Sequence, residues 1–145
     1  VYGPWGRPDM ALFLFVKAAL KGKKIDVYNH GNMLRDFTYI DDIIFGIIKV
    51  IDSDINNFIS DTPYKVYNIG NNSPVNLMDF ILAIEKKLNL KIQKNLMSIQ
   101  PGDVVSTYAD VSELEKDFNY KPKTSIHFGI SKFIDWYIKY YKIKL

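Results

Sequence analysis

Residues 75–89, VNLMDFILAIEKKLN, carry apolar side chains at 77, 78, 81, 82, 84 and 88. That spacing follows the turn of an amphipathic helix, so the stretch needs an apolar layer to lie on. Before it, KVYNIG (65–70) reads as a buried strand ended by the turn residues GNNSP, and after it KIQKNLM (91–97) reads as another strand. The same alternation runs through the rest of the chain. MALFLFVKAALKG predicts a helix capped by Asp9 and stopped at Gly22, followed by a strand at 25–29 and a turn at HGN. A helix is expected at about 41–52, with Asp41 and Asp42 in its first turn, where negative charge suits the helix dipole. TYAD (107–110) suggests a short strand, and Ser112 with Glu115 has the spacing of a capping box. IHFGISKFIDWYIKYY closes the chain as an aromatic-rich amphipathic helix. Strands alternating with helices specify an α/β class, and 145 residues fit a single domain over 1–145.

Composition removes whole classes of function. With 48% hydrophobic and 24% charged residues the chain is globular in character, and its longest apolar run, 10–16, is too short to cross a membrane. A net charge of +3, with lysines spread along the chain, is not the clustered basic face that a nucleic-acid partner requires. KGKK at 21–24 reads as a surface turn. The lack of cysteine excludes disulfides, thiolate nucleophiles and cysteine-bound zinc, and is compatible with a reducing cytoplasmic setting. The opening VYGPWGRP, a strand-like dipeptide running into turn residues without an initiator Met, is expected to be an excised portion of a longer enzyme.

Much familiar chemistry is missing from these residues. His30 and His127 are far apart in sequence and form neither a metal set nor a nucleophilic triad, so no metal is expected. IGNNSP has one glycine and cannot make the close-approach loop of a dinucleotide site. Tyr140 and Lys144 reproduce a Tyr-x-x-x-Lys spacing, but in a terminus crowded with Tyr and Lys, and are set aside as coincidence.

Three polar segments at turns remain: WGRPD with Arg7, LRDF with Arg35, and QPGDV with Gln100 and Asp103. An arginine presents a planar fork of donors to phosphate or carboxylate. An aspartate with no cation near it in sequence can accept two ribose hydroxyls. Gly102 would let backbone pass close to a ligand. Each of these charges reads equally well as ordinary surface, and together they suggest an anionic, hydroxylated ligand such as a nucleotide sugar.

In order, VYGPWGRPDMA, RDFTYIDDI, VYNIGNNSPVNLMDFI and QPGDVVSTYAD resemble the C-terminal half of extended short-chain dehydrogenase/reductases, most nearly the bacterial UDP-glucuronate 4-epimerases. The resemblance covers essentially the whole chain. It implies the substrate-binding lobe of a Rossmann-type, NAD-dependent nucleotide-sugar epimerase, without the dinucleotide-binding half that carries the catalytic Tyr-x-x-x-Lys. It further implies that Arg35 meets the UDP diphosphate, that Asp103 binds the uridine ribose, and that Val27 and Tyr28 lie beside the uracil. Tyr2 and Pro4 would border the nicotinamide, and Arg7 would lie at the sugar end as a partner for a uronate carboxylate. Many relatives have arginine where this chain has Gln100, so one positive charge is lost there. The expected activity is interconversion of UDP-glucuronate and UDP-galacturonate through a 4-keto intermediate, in the cytoplasm and toward polysaccharide biosynthesis. The rivals are a dehydratase, a decarboxylase or another UDP-sugar epimerase of the same family, and a non-catalytic nucleotide-binding module. The 145-residue chain alone is expected to be inactive and monomeric, and the full-length enzyme a homodimer.

Overall fold

The structure, a computed structural model, describes residues 1–54 and 64–144. The helices are α1 (Ala11–Leu20), α2 (Ile40–Ile51), α3 (Leu77–Leu88), α4 (Ser112–Phe118) and α5 (Ile126–Tyr140). The strands are short: β1 (Ile25–Val27), β2 (Leu34–Arg35), β3 (Val75–Asn76) and β4 (Lys94–Leu96). β1 pairs parallel with β4, Asp26 opposite Asn95, while β2 pairs antiparallel with β3, Arg35 opposite Val75. Between β1 and β2 a tight 3-10 turn spans Tyr28–Gly31.

The apolar stripes recognised in the sequence meet in one main core. Phe13 and Val16 of α1, Phe80, Ile81 and Ile84 of α3, and Ile130, Phe133 and Ile134 of α5 bury together with Tyr2, Val27 and Tyr39. The Phe37 ring stacks on Phe80 at 3.9 Å, tying the segment after β2 to α3. Local chemistry fixes the helix ends. The Asn76 side chain accepts from the Met78 N–H at the start of α3, and Ser125 Oγ accepts from Phe128 N–H at the start of α5. A smaller cluster of Val111, Leu114 and Tyr120 packs under Tyr67 and Ile69. Gly46 of α2 lies against it so closely that a Cβ there would come within 2.5 Å of Ile69.

The outer face of α2 is apolar but uncovered: Ile44, Phe45, Ile47, Ile48 and Ile51 are all exposed. A face of that kind on a folded domain marks a surface made to be covered. Among the described residues no helix is long and apolar enough to cross a membrane.

Local expectations fail where a competing partner, near or far along the chain, wins. KVYNIG is not a strand: residues 65–69 have no ladder partner among the described residues, with Val66 exposed and Ile69 half-buried. Asp9 does not cap α1, because its carboxylate accepts from Arg7 Nε at 3.1 Å. Ser112 begins α4 without capping it; Asp110 takes the Ser112 N–H at 3.0 Å, and Glu115 pairs with Lys121. TYAD forms no strand, since Thr107 and Ala109 are drawn to Asp36. The strand expected at 25–29 ends at Val27, and Asn29 and His30 turn with positive φ. Asp42 is more than a helix-start charge: it is buried and accepts the Lys123 and Thr124 N–H groups, each at 3.1 Å.

Candidate functional site

A cavity of about 560 Å³ opens between α1 and the backbone from β1 to β2. That volume suits a small-molecule ligand. One wall is apolar, made of Met10, Leu14, Phe15 and Ala18 from α1 with Phe37 and Leu77. The other carries Lys24, Asp26, Tyr28, Arg35 and Asp103. The exposed Met10 and Leu14 side chains thus face a pocket and do not simply decorate the surface.

Arg35 is fixed from three sides. Its Nη1 donates to the carbonyls of Leu34 (2.9 Å) and Val105 (3.1 Å), and its Nη2 donates to Asp103 Oδ1 at 3.0 Å. Asp103 has no cation near it in sequence, as read, but the fold supplies one: Arg35 is 68 residues away along the chain and one hydrogen bond away in space. Asp103 Oδ1 also accepts from Val104 N–H, while Gly102, at φ +83°, turns the loop that presents it. Main-chain bonds from Leu34 N to Val105 and from Thr107 N to Leu34 hold this loop against β2.

Asp36 organises the surroundings, a role not foreseen from the sequence. Its carboxylate accepts from the N–H groups of Asn72, Ser73 and Ala109, and its own N–H donates to Thr107 Oγ1. One side chain therefore joins the strand that carries Arg35, the GNNSP turn and the chain leaving the Asp103 loop. No local signal marked it, because the turn amides it takes lie 36 and 37 residues further along the chain. Near it, Tyr120 is fully buried and donates to the Gly70 carbonyl at 2.9 Å; burial, reinforced by Asp42 and Asp36, pushes its phenol up to about 12.

Of the residues proposed from the sequence, Tyr28, Arg35 and Asp103 share the cavity wall. The others do not. Val27 is fully buried in the core next to it. Gln100 is exposed on the Asp103 loop, where its carbonyl accepts the Asp103 N–H. Arg7 is exposed, paired with Asp9, and borders a separate small cavity of about 70 Å³ beside Tyr2. Met10, Ala11 and Phe37 line both cavities, so they form the partition between the two. Pro4 is half-buried in the opening loop. The Tyr2 ring packs in the core against Phe37, Tyr39 and Phe80, and its hydroxyl is buried without a hydrogen-bond partner among the described residues; that burial raises its ionisation range. The sequence reading missed Lys24 and Asp26 on the cavity wall; the KGKK run that hides Lys24 looks like solvated charge.

Residues 1–70 match the model of the NAD dependent epimerase/dehydratase family. The chain is 55% identical to protein CapI of Staphylococcus aureus, over 98% of this chain and 46% of that protein. By these matches the chain is similar to members of that family, of whose own length it covers a part. It is also 43% identical to UDP-glucuronate 4-epimerase 2 of Arabidopsis thaliana, over 98% of this chain and 35% of that protein. Among solved structures, UDP-glucuronic acid 4-epimerase from Bacillus cereus, crystallised with UDP-glucuronic acid and NAD, superposes with a TM-score of 0.87. Identity to it is 31%, over 97% of this chain and 43% of that one. The chain thus spans less than half the length of these relatives, and its mixed α/β fold resembles the corresponding part of Rossmann-type NAD-dependent epimerase/dehydratase structures.

The sequence holds no glycine-rich phosphate loop, and the Tyr2 ring is buried in the core.

Proposed function

We propose that this chain is the nucleotide-sugar-binding lobe of an NAD-dependent UDP-sugar 4-epimerase that interconverts UDP-glucuronate and UDP-galacturonate. The observation that carries the reading is the convergence of Tyr28, Arg35 and Asp103 on one cavity, from segments separated by up to 75 residues of chain. Arg35, its Nη1 held by two carbonyls, offers its Nε and Nη2 edge to a diphosphate. Asp103 accepts ribose hydroxyls, Tyr28 and the main chain at Val27 flank the base, and Gln100 contributes a neutral amide from the same loop. Arg7, across the Met10–Phe37 partition, meets the uronate carboxylate once it leaves Asp9.

NAD supplies the redox step when bound, mainly by chain outside this lobe. With the Tyr2 ring inside the core, contact with the nicotinamide edge falls to Pro4 and the main chain beside it. The remaining length of the full protein covers the apolar face of α2 and the segment at 65–69, which has no ladder partner among the described residues. The lobe alone is inactive and monomeric, and the full-length enzyme works as a dimer in the cytoplasm, supplying precursors for polysaccharide biosynthesis. The test is to incubate full-length protein with UDP-glucuronate and NAD and separate the products. Formation of UDP-galacturonate supports the reading. A 4,6-dehydrated or decarboxylated product, or none, would defeat it.

A further inference from the structure

A cavity proposed to hold an anion is not itself cationic. Its wall sets two basic side chains, Lys24 and Arg35, against three carboxylates, Asp9, Asp26 and Asp103. Two of the acids are occupied elsewhere: Asp9 with Arg7, and Asp26 Oδ1 with the Asn95 amide at 2.9 Å. Asp103 differs, because it sits on the guanidinium that an incoming phosphate would seek. A bare phosphate approaching Arg35 meets a negative charge one hydrogen bond away. In a partly desolvated cavity that repulsion is larger than it would be in water.

We propose that Asp103 is a selectivity gate, requiring a ligand to bring an anionic group for Arg35 and hydroxyl donors for Asp103 together, and rejecting inorganic phosphates. An ionised carboxylate only accepts hydrogen bonds, so a vicinal diol converts the repulsive neighbour into an attractive one. Specificity then comes as much from the penalty on the wrong ligand as from contacts to the right one. The geometry leaves room for this. Asp103 Oδ1 is taken by Arg35 and Val104 N–H, whereas Oδ2 makes no hydrogen bond among the described residues. The side chain is one-third exposed, on a loop whose Gly102 has no neighbouring atoms within 4 Å of its Cβ position. The identity of the preferred ligand rests on the nucleotide-sugar reading; the sign of the effect on inorganic anions does not.

The variant that isolates charge is Asp103→Asn, whose amide oxygen can still accept from Val104 and Arg35. Inorganic pyrophosphate and UDP are titrated calorimetrically into full-length, NAD-saturated protein, unmodified and variant. Pyrophosphate is expected to bind the variant about tenfold more tightly, and the preference for UDP over pyrophosphate to fall by at least about tenfold. The gain should vanish in the Arg35→Ala, Asp103→Asn double variant, which ties it to this pair and not to another anion site. If Asp103 merely holds Arg35 in place, pyrophosphate binding by Asp103→Asn will be weakened or unchanged, and either result overturns the gate. Failure of UDP to bind the unmodified protein counts separately, against the nucleotide-sugar reading.

Discussion

Two arginine–aspartate pairs border these cavities, chemically alike and physically different; Asp9 lines the larger cavity and its partner Arg7 the smaller. Arg7 and Asp9 are two residues apart, with side chains 75% and 61% exposed. Arg35 and Asp103 are 68 residues apart, with side chains 23% and 33% exposed, and the guanidinium is also bound to two carbonyls. The first pair forms wherever its short loop goes, so it reports little about the fold. The second exists only after β2, the loop at 99–107 and the Asp36 hub have assembled. A charge held by that much tertiary structure is pre-organised for a ligand; one solvated beside its sequence neighbour is not. Glu85 extends the series inward: it is buried, with Oε1 accepting from Lys94 Nζ at 2.7 Å and from Ile92 N–H at 2.8 Å.

The largest effect that could break this contrast is at the hub. Asp36→Ala takes the shared acceptor from three backbone donors, two of them exposed to water, and should cost about 3 kcal/mol of stability, read by urea denaturation. A loss no larger than that of an ordinary surface substitution would show that the Arg35–Asp103 geometry does not depend on it. Glu85→Gln comes next, at about 1.5–3 kcal/mol near neutral pH. Burial raises the Glu85 carboxyl, but the hydrogen bonds from Lys94 and Ile92 outweigh it and hold the group below its ordinary 4.5. A depressed folded value means stability that is present above the unfolded value and lost as pH falls through the folded one. Melting curves of the native chain should therefore fall more steeply below about pH 4.5 than those of the variant; parallel curves would count against the ion pair. Smallest is Arg7→Ala: no measurable change in melting temperature or UDP affinity is expected. In the full-length enzyme it should impair use of UDP-glucuronate more than binding of UDP-glucose, and equal losses would remove Arg7 from the sugar end.

What the sequence disclosed follows from what was local. The stripes of α1, α3 and α5 repeat within a single element, so they could be read before any partner was known. Tyr28, Arg35 and Asp103 were selected by residue chemistry and family resemblance, and the fold brings them to one wall. The ion pair between Arg35 and Asp103 was not legible, because nothing in either segment encodes a contact across the chain. Ser112 and Asp9 depart from expectation for a local reason instead: a neighbour two residues away, Asp110 or Arg7, makes the competing hydrogen bond. KVYNIG has strand composition, yet a strand needs a neighbour to bond to, and among the described residues it has none.

The central claim, that the Arg35 cavity holds a nucleoside diphosphate, is tested most directly by titrating UDP into unmodified, Arg35→Ala and Arg7→Ala proteins under one set of conditions. The expected result is a loss of about 1.5–3 kcal/mol for Arg35→Ala, as for a charge-assisted bond, and no loss for Arg7→Ala. Equal UDP affinity in all three would contradict it.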